Sequence, residues 1–73
     1  MDVPLGTRVR TLRRQQDLTQ RQLASRARMN PITISRLEHG NSEHVYARTV
    51  RDLALALGCT TDYLLGMPDA GKE

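Results

Sequence analysis

Apolar residues recur along this chain at helical spacing, and the breaks between the apolar stretches fall at capping and turn residues. Leu5, Val9 and Leu12 stand at i, i+4 and i+7, which predicts a first helix over about 4–16, with Pro4 in its first turn. Asp17 and Leu18 read as a short connection. Thr19 and Gln22 then form a capping-box pattern that opens a second helix, with Leu23, Ala24 and Ala27 as its buried stripe and an end near Arg26 or Ala27. Asn30 followed by Pro31 is the next start signal, and Gly40 the next stop, which predicts a third helix over about 31–39. Only Arg28 to Asn30 separate these two short helices, the spacing of a helix-turn-helix unit. Residues 40–46 read as a polar loop, Ala47 to Leu57 as a fourth helix stopped by Gly58, and Asp62 to Leu65 as a short fifth helix capped by Thr60 or Thr61. One domain over 1–66 and a flexible tail over 67–73 complete the expected organisation.

Helical wheels at about 100° per residue show which faces are spare. With Ile34 at zero, Leu37 and Glu38 fall on the inward side of the third helix. Ser35, His39, Ile32 and Arg36 fall on the opposite side. An Ile one turn before an Arg on an outward face suits a DNA groove, since Arg bonds guanine O6 and N7 and an apolar group meets a thymine methyl. The wheel alone leaves open a blander arrangement, with Ile32 packed on a neighbouring helix or loop and Arg36 solvated. On the fourth helix Val50, Leu53, Ala54 and Leu57 form the core stripe, while Leu55 points away among Arg48, Arg51 and Asp52.

Composition narrows the choice of function. At 73 residues there is room for one domain and none for a deep catalytic cleft. Phe and Trp are absent, so the core is built from Leu, Val, Ile, Ala and Met. All basic residues but Lys72 are Arg. Residues 1–36 carry eight Arg against Asp2 and Asp17, whereas residues 37–73 have twice as many acidic groups as basic ones. A basic half of this kind suits a polyanion. Cys59 is the single cysteine, which points to a reducing compartment, and with no signal-peptide pattern and no long apolar run the expected location is cytoplasmic. His39, Glu43, His44 and Cys59 match no zinc spacing, and no nucleophile–base pair or Gly-rich phosphate loop stands out. The expectation is a protein that is not an enzyme and takes no metal, cofactor or small-molecule ligand.

Two blocks of sequence carry a family resemblance. Leu18, Thr19 and Gln20, then Leu23 and Ala24, then Thr33 to Glu38 before Gly40, resemble the phage repressor and Cro-like (Xre) helix-turn-helix family. Leu53 to Gly58 followed by Asp62 to Gly66 resemble that family's fourth and fifth helices. The resemblance spans roughly residues 5–66 and implies an all-α, five-helix, lambda-repressor-like DNA-binding domain that regulates transcription. It places Pro31, Ile32, Ser35 and Arg36 against base edges. It places Gln20 and Asn30 near phosphates, where Thr33 and His39 are expected beside them; Arg28, His44 and Arg48, in or beside segments that depart from the family pattern, are expected to reach the backbone as well. Arg13 and Glu38 match a family pair that joins the first helix to the end of the third.

The chain departs from the family pattern at three points: Arg28 stands where Gly is usual in the turn, Pro31 where a polar reader is common, and the loop after Gly40 is about one residue longer. Leu64 matches a core position of the family, which leaves Tyr63, Leu65 and Met67 to join Leu55 in an exposed apolar patch. Such a patch suits a homodimer facing a pseudo-palindrome in double-stranded DNA, the alternative being a monomer whose tail folds over Leu55. The alternative reading of the same fold is a protein-interaction module, of antitoxin or adaptor type.

Overall fold

Local start and stop signals divide the chain before any packing is considered. In the computed structural model, which describes residues 5–41 and 45–66, five helices run in order: α1 (Leu5–Gln15), α2 (Gln20–Ala27), α3 (Pro31–Glu38), α4 (Ala47–Leu57) and α5 (Thr61–Leu65). No strand occurs among the described residues. Thr19 Oγ1 accepts from the Gln22 amide at 3.0 Å while the Thr19 amide donates to Gln22 Oε1 at 2.9 Å, so α2 starts on the capping box. Asn30 Oδ1 accepts from the Ile32 amide at 2.9 Å, and Thr60 Oγ1 accepts from the Tyr63 amide at 3.0 Å. Gly58 and Gly66 end α4 and α5 in left-handed conformation.

Boundaries differ from the sequence-based expectation by one residue in three helices. α1 ends before Gln16 because Asp17 turns left-handed at φ 57° and the Leu18 amide closes the turn on the Arg13 carbonyl at 3.0 Å, while Gln16 Nε2 donates to the Leu57 carbonyl at 2.8 Å and ties the end of α1 to the end of α4. His39 is the C-cap of α3 rather than its last residue, and Gly40 and Asn41 close the turn by donating to the Leu37 and Arg36 carbonyls. Thr61 joins α5 because Thr60 is the cap. Pro4, His44, Met67 and the expected tail over 67–73 lie outside the described residues.

The helices enclose one apolar core. Val9, Leu23, Ile34, Leu37, Leu53 and Leu64 are its largest fully buried side chains, one or more from every helix. α1 packs across α3, α4 and α5, and α2 packs on α3 and α4. Leu5, Leu12, Met29, Val45, Ala56 and Cys59 close the edges. Burial pushes the Cys59 thiol above its ordinary pKa, so this sulfur is a small apolar filler. No described helix is long and apolar enough to cross a membrane.

One close approach governs how α1 meets α3. Gly6 is buried against the carboxyl end of α3, and a Cβ there would overlap the Leu37 carbonyl oxygen and come within 2.8 Å of its carbonyl carbon. Backbone lies on the far side of that contact, so no side chain can rotate away. In an open helix, Ala is favoured over Gly by about 1 kcal/mol. At Gly6 the sign reverses: Gly6→Ala is expected to destabilise the domain by about 1–3 kcal/mol through overpacking. At this size each kcal/mol lowers the melting temperature by roughly 4–8 °C. A thermal melt in which Gly6→Ala matches or exceeds the wild type would show that α1 does not sit this close to α3.

Candidate nucleic-acid interface

The turn between α2 and α3 sets the direction of α3. Arg28 adopts φ 57° and ψ 48°, the left-handed region, and the Met29 amide donates to the Ala24 carbonyl at 2.9 Å. A non-Gly residue holds this conformation at a cost on the order of 1 kcal/mol. Asn30 returns to extended backbone and caps α3, and Asn30, Pro31 and Ile32 at its amino end are all exposed. Ile34 and Leu37 anchor the inner side of the helix.

The outward side of α3 is open. Pro31, Ile32 and Arg36 are exposed, Ile32 at 56%, and Ser35 and Thr33 are half-buried. Arg36 forms no ion pair with another described residue. His39 is exposed, with its ring held against the helix by Nδ1, 2.7 Å from the Ser35 carbonyl.

Beside this face the fold gathers the basic groups that sequence separates. Arg28, Thr33 and Arg48 line one cleft of about 500 Å³ together with Met29, Tyr46, Thr49 and Asp52. Arg28 comes from the turn, Thr33 from α3 and Arg48 from the first turn of α4. Tyr46, the N-cap of α4, contributes an amide that donates to Thr49 Oγ1 at 3.5 Å but no side-chain cap. The amide end of α4 is therefore uncapped at this cleft, where partial positive charge favours an anion. Asp52 adds the one carboxylate of the lining, and Arg51 lies 3.4 Å from it.

Glu38 places a carboxylate at the end of the same helix, yet it is not presented to solvent. Its side chain is 3% exposed. Arg13 grips it with two hydrogen bonds, Nε to Oε2 at 2.7 Å and Nη2 to Oε1 at 3.0 Å. Arg13 Nη1 also donates to the Leu18 carbonyl at 2.7 Å, and Gln20 Nε2 donates to Glu38 Oε1 at 3.1 Å. Burial alone would raise the Glu38 pKa, but the hydrogen bonds from Arg13 and Gln20 and the charges of Arg13 and Arg10 hold it below the usual carboxylate value. The same hydrogen bond raises the pKa of Arg13 against the opposing effect of its burial. Gln20 keeps a second amide hydrogen that Glu38 does not use.

The apolar residues expected to share a patch lie in different surroundings. Leu64 is buried, so its neighbours Tyr63 and Leu65 leave α5 on opposite sides. Tyr63 turns toward α1, where the Arg8 guanidinium sits 5.3 Å from its ring centroid. Leu65 turns toward α4 and lines a groove of about 370 Å³ with Val45, Tyr46, Ala47, Val50 and Thr61. Leu55, 75% exposed, lies beside Arg26, Ala27, Arg28 and Asp52. Sequence reasoning missed the Gly6 contact and the Arg8–Tyr63 stack. A glycine inside an otherwise regular helix was the available signal for the first. No local signal marks the second.

A family model for the helix-turn-helix domain matches residues 6–69, and the chain belongs to that family. No curated protein and no solved structure matches the chain. Membership points to DNA binding in a transcriptional regulator.

Removing either partner of the latch leaves the other charge buried and unpaired. Arg13→Ala and Glu38→Ala are each expected to lower stability by about 3 kcal/mol, and the double variant by clearly less than the two losses added. Thermal melts of the three variants read this, and additive losses would mean that the pair carries no coupling. The lowered Glu38 pKa gives the latch a pH dependence. Its stabilisation is complete above the ordinary carboxylate range and is lost as pH falls through the depressed folded value. Glu38→Gln should therefore lose less stability than the wild type between neutral and strongly acid pH.

Proposed function

We propose that this chain is a phage repressor and Cro-like (Xre) transcriptional regulator that binds a specific duplex sequence with α3 in the major groove. The observation that carries this reading is the outward face of α3. Ile32 and Arg36 stand open on it, and Thr33 continues it into the Arg28–Arg48 cleft. In this arrangement Pro31, Ile32, Ser35 and Arg36 meet base edges. Arg28, Thr33, Arg48 and the uncapped end of α4 receive one backbone phosphate. Gln20 and Asn30 reach a phosphate on the other side of α3, and His39 extends the contacts at its carboxyl end. Met67 and His44 keep the roles expected from the sequence, at the dimer surface and at the backbone.

The protein acts as a homodimer on a pseudo-palindromic operator. The support for this is the apolar groove beside Leu65, with Tyr46 and Leu65 both strongly exposed along it. It adjoins the phosphate cleft through Tyr46, which lines both. A second copy there would set two recognition helices about one DNA turn apart, roughly 34 Å.

Binding measurements on selected and random duplexes test the docking. Arg36→Ala should weaken specific binding more than non-specific binding, by about 1–3 kcal/mol of discrimination. Arg48→Ala and Gln20→Ala should weaken both alike, and Arg48→Ala should reduce the salt slope by about one. An affinity indifferent to salt would favour a protein-interaction module on this fold instead. Sedimentation on a palindromic duplex tests the dimer: Leu65→Glu is expected to abolish cooperative two-protomer binding and leave half-site binding in place. Unchanged cooperativity in that variant would remove the groove from the interface.

A further inference from the structure

The amino end of α3 leads toward the groove floor in helix-turn-helix docking, and in this chain its readers are hydrocarbon. Pro31 has no polar side-chain atom and is exposed. Ile32 follows it at 56% exposure. Asn30 stands at the cap with its side-chain oxygen engaged by the Ile32 amide at 2.9 Å. Thr33, the next residue, is half-buried and lines the Arg28–Arg48 cleft to one side, so beyond Ile32 the hydrogen-bonding side chains assigned to base edges are Ser35 and Arg36, about a turn later. The reading surface therefore divides into an apolar amino end and a basic carboxyl end.

We infer that Ile32, with Pro31 beside it, recognises the 5-methyl group of a pyrimidine rather than the base that carries it. The inference rests on α3 lying in the major groove as proposed above. Thymine and 5-methylcytosine both project a methyl group from C5 into that groove. They differ at position 4, where thymine offers an acceptor and cytosine a donor. Telling those two apart takes a hydrogen-bonding partner, and Pro31 and Ile32 supply none. The pair accepts either methylated base and disfavours a pyrimidine that lacks the methyl, because the exposed Ile32 surface then stays uncovered. Binding at a cytosine in this position thus rises when that cytosine is methylated.

The test uses the whole chain and duplexes that differ by one methyl group. A half-site is first selected from a random duplex library. At each of its pyrimidine positions, thymine is compared with deoxyuridine, both opposite adenine, and 5-methylcytosine with cytosine, both opposite guanine. At one or two adjacent positions the methylated duplex should bind about fourfold tighter in both comparisons, the gain from covering one methyl-sized group. Ile32→Ala should abolish both differences while keeping the salt dependence and the preference conferred by Arg36. Ile32 is exposed, so this variant keeps the core intact. Equal binding within either comparison at every position, or differences that survive Ile32→Ala, overturns the inference and leaves the α3 docking standing. Failure to select any sequence overturns the docking itself, and this inference with it.

Discussion

Glu38 sits where, in the proposed docking, an unshielded carboxylate would do most harm, at the end of the helix that is to face a polyanion. Its burial against Arg13 and Gln20 resolves two constraints together. The negative charge is neutralised by a bidentate guanidinium within 3.0 Å, so it does not repel phosphate. The residues that neutralise it come from α1 and from the first position of α2, so the carboxylate is also the point where three helices are fixed relative to one another. Arg13 completes the junction by holding the Leu18 carbonyl in the α1–α2 connection. Gly6 is the steric counterpart of this latch: α1 can approach α3 closely enough for Arg13 to reach only because no Cβ stands in the way.

The proposed interface follows from how that junction orients short, strongly capped elements. α2 and α3 are eight residues each, too short to be stable alone. Their caps define where they start, and the core contacts of Leu23, Ile34 and Leu37 define which side is spent. What remains exposed on α3 is Pro31 at its start and an Ile and an Arg one turn apart. What remains open at α4 is an uncapped amide end with Arg48 in its first turn and Arg28 across the cleft. The strain accepted at Arg28 has a physical return, because the left-handed turn brings a cation to that cleft.

A domain of this size buries little apolar surface, and polar contacts at the periphery supplement the core. Gln16 joins the ends of α1 and α4, and Arg8 lies over Tyr63 to hold α5 against α1. That stack covers one face of a tyrosine that would otherwise be open, and leaves Leu65 and Tyr46 as the exposed apolar groups on the opposite side of α5.

By itself the sequence determined the five helices, the caps of α2 and α3 and the helix-turn-helix spacing, and it placed Ile32 and Arg36 on one side of α3, while the structure decided that this side is open and that Thr60 caps α5. The features read from the sequence are local properties, set by periodicity and by capping residues within four positions of one another, so they can be read without knowing how the helices pack. The place of Glu38 near the inward side of α3 was legible in the same way, and its partner Arg13 through the family resemblance alone. Only the tertiary structure decided the contact between Gly6 and the Leu37 backbone, the cleft that unites Arg28, Thr33 and Arg48, and the separation of Leu55, Tyr63 and Leu65 into different surroundings. A helical wheel gives a residue's angle about its own axis. Which neighbour meets that angle depends on the crossing of helices distant in sequence, and no local pattern encodes it.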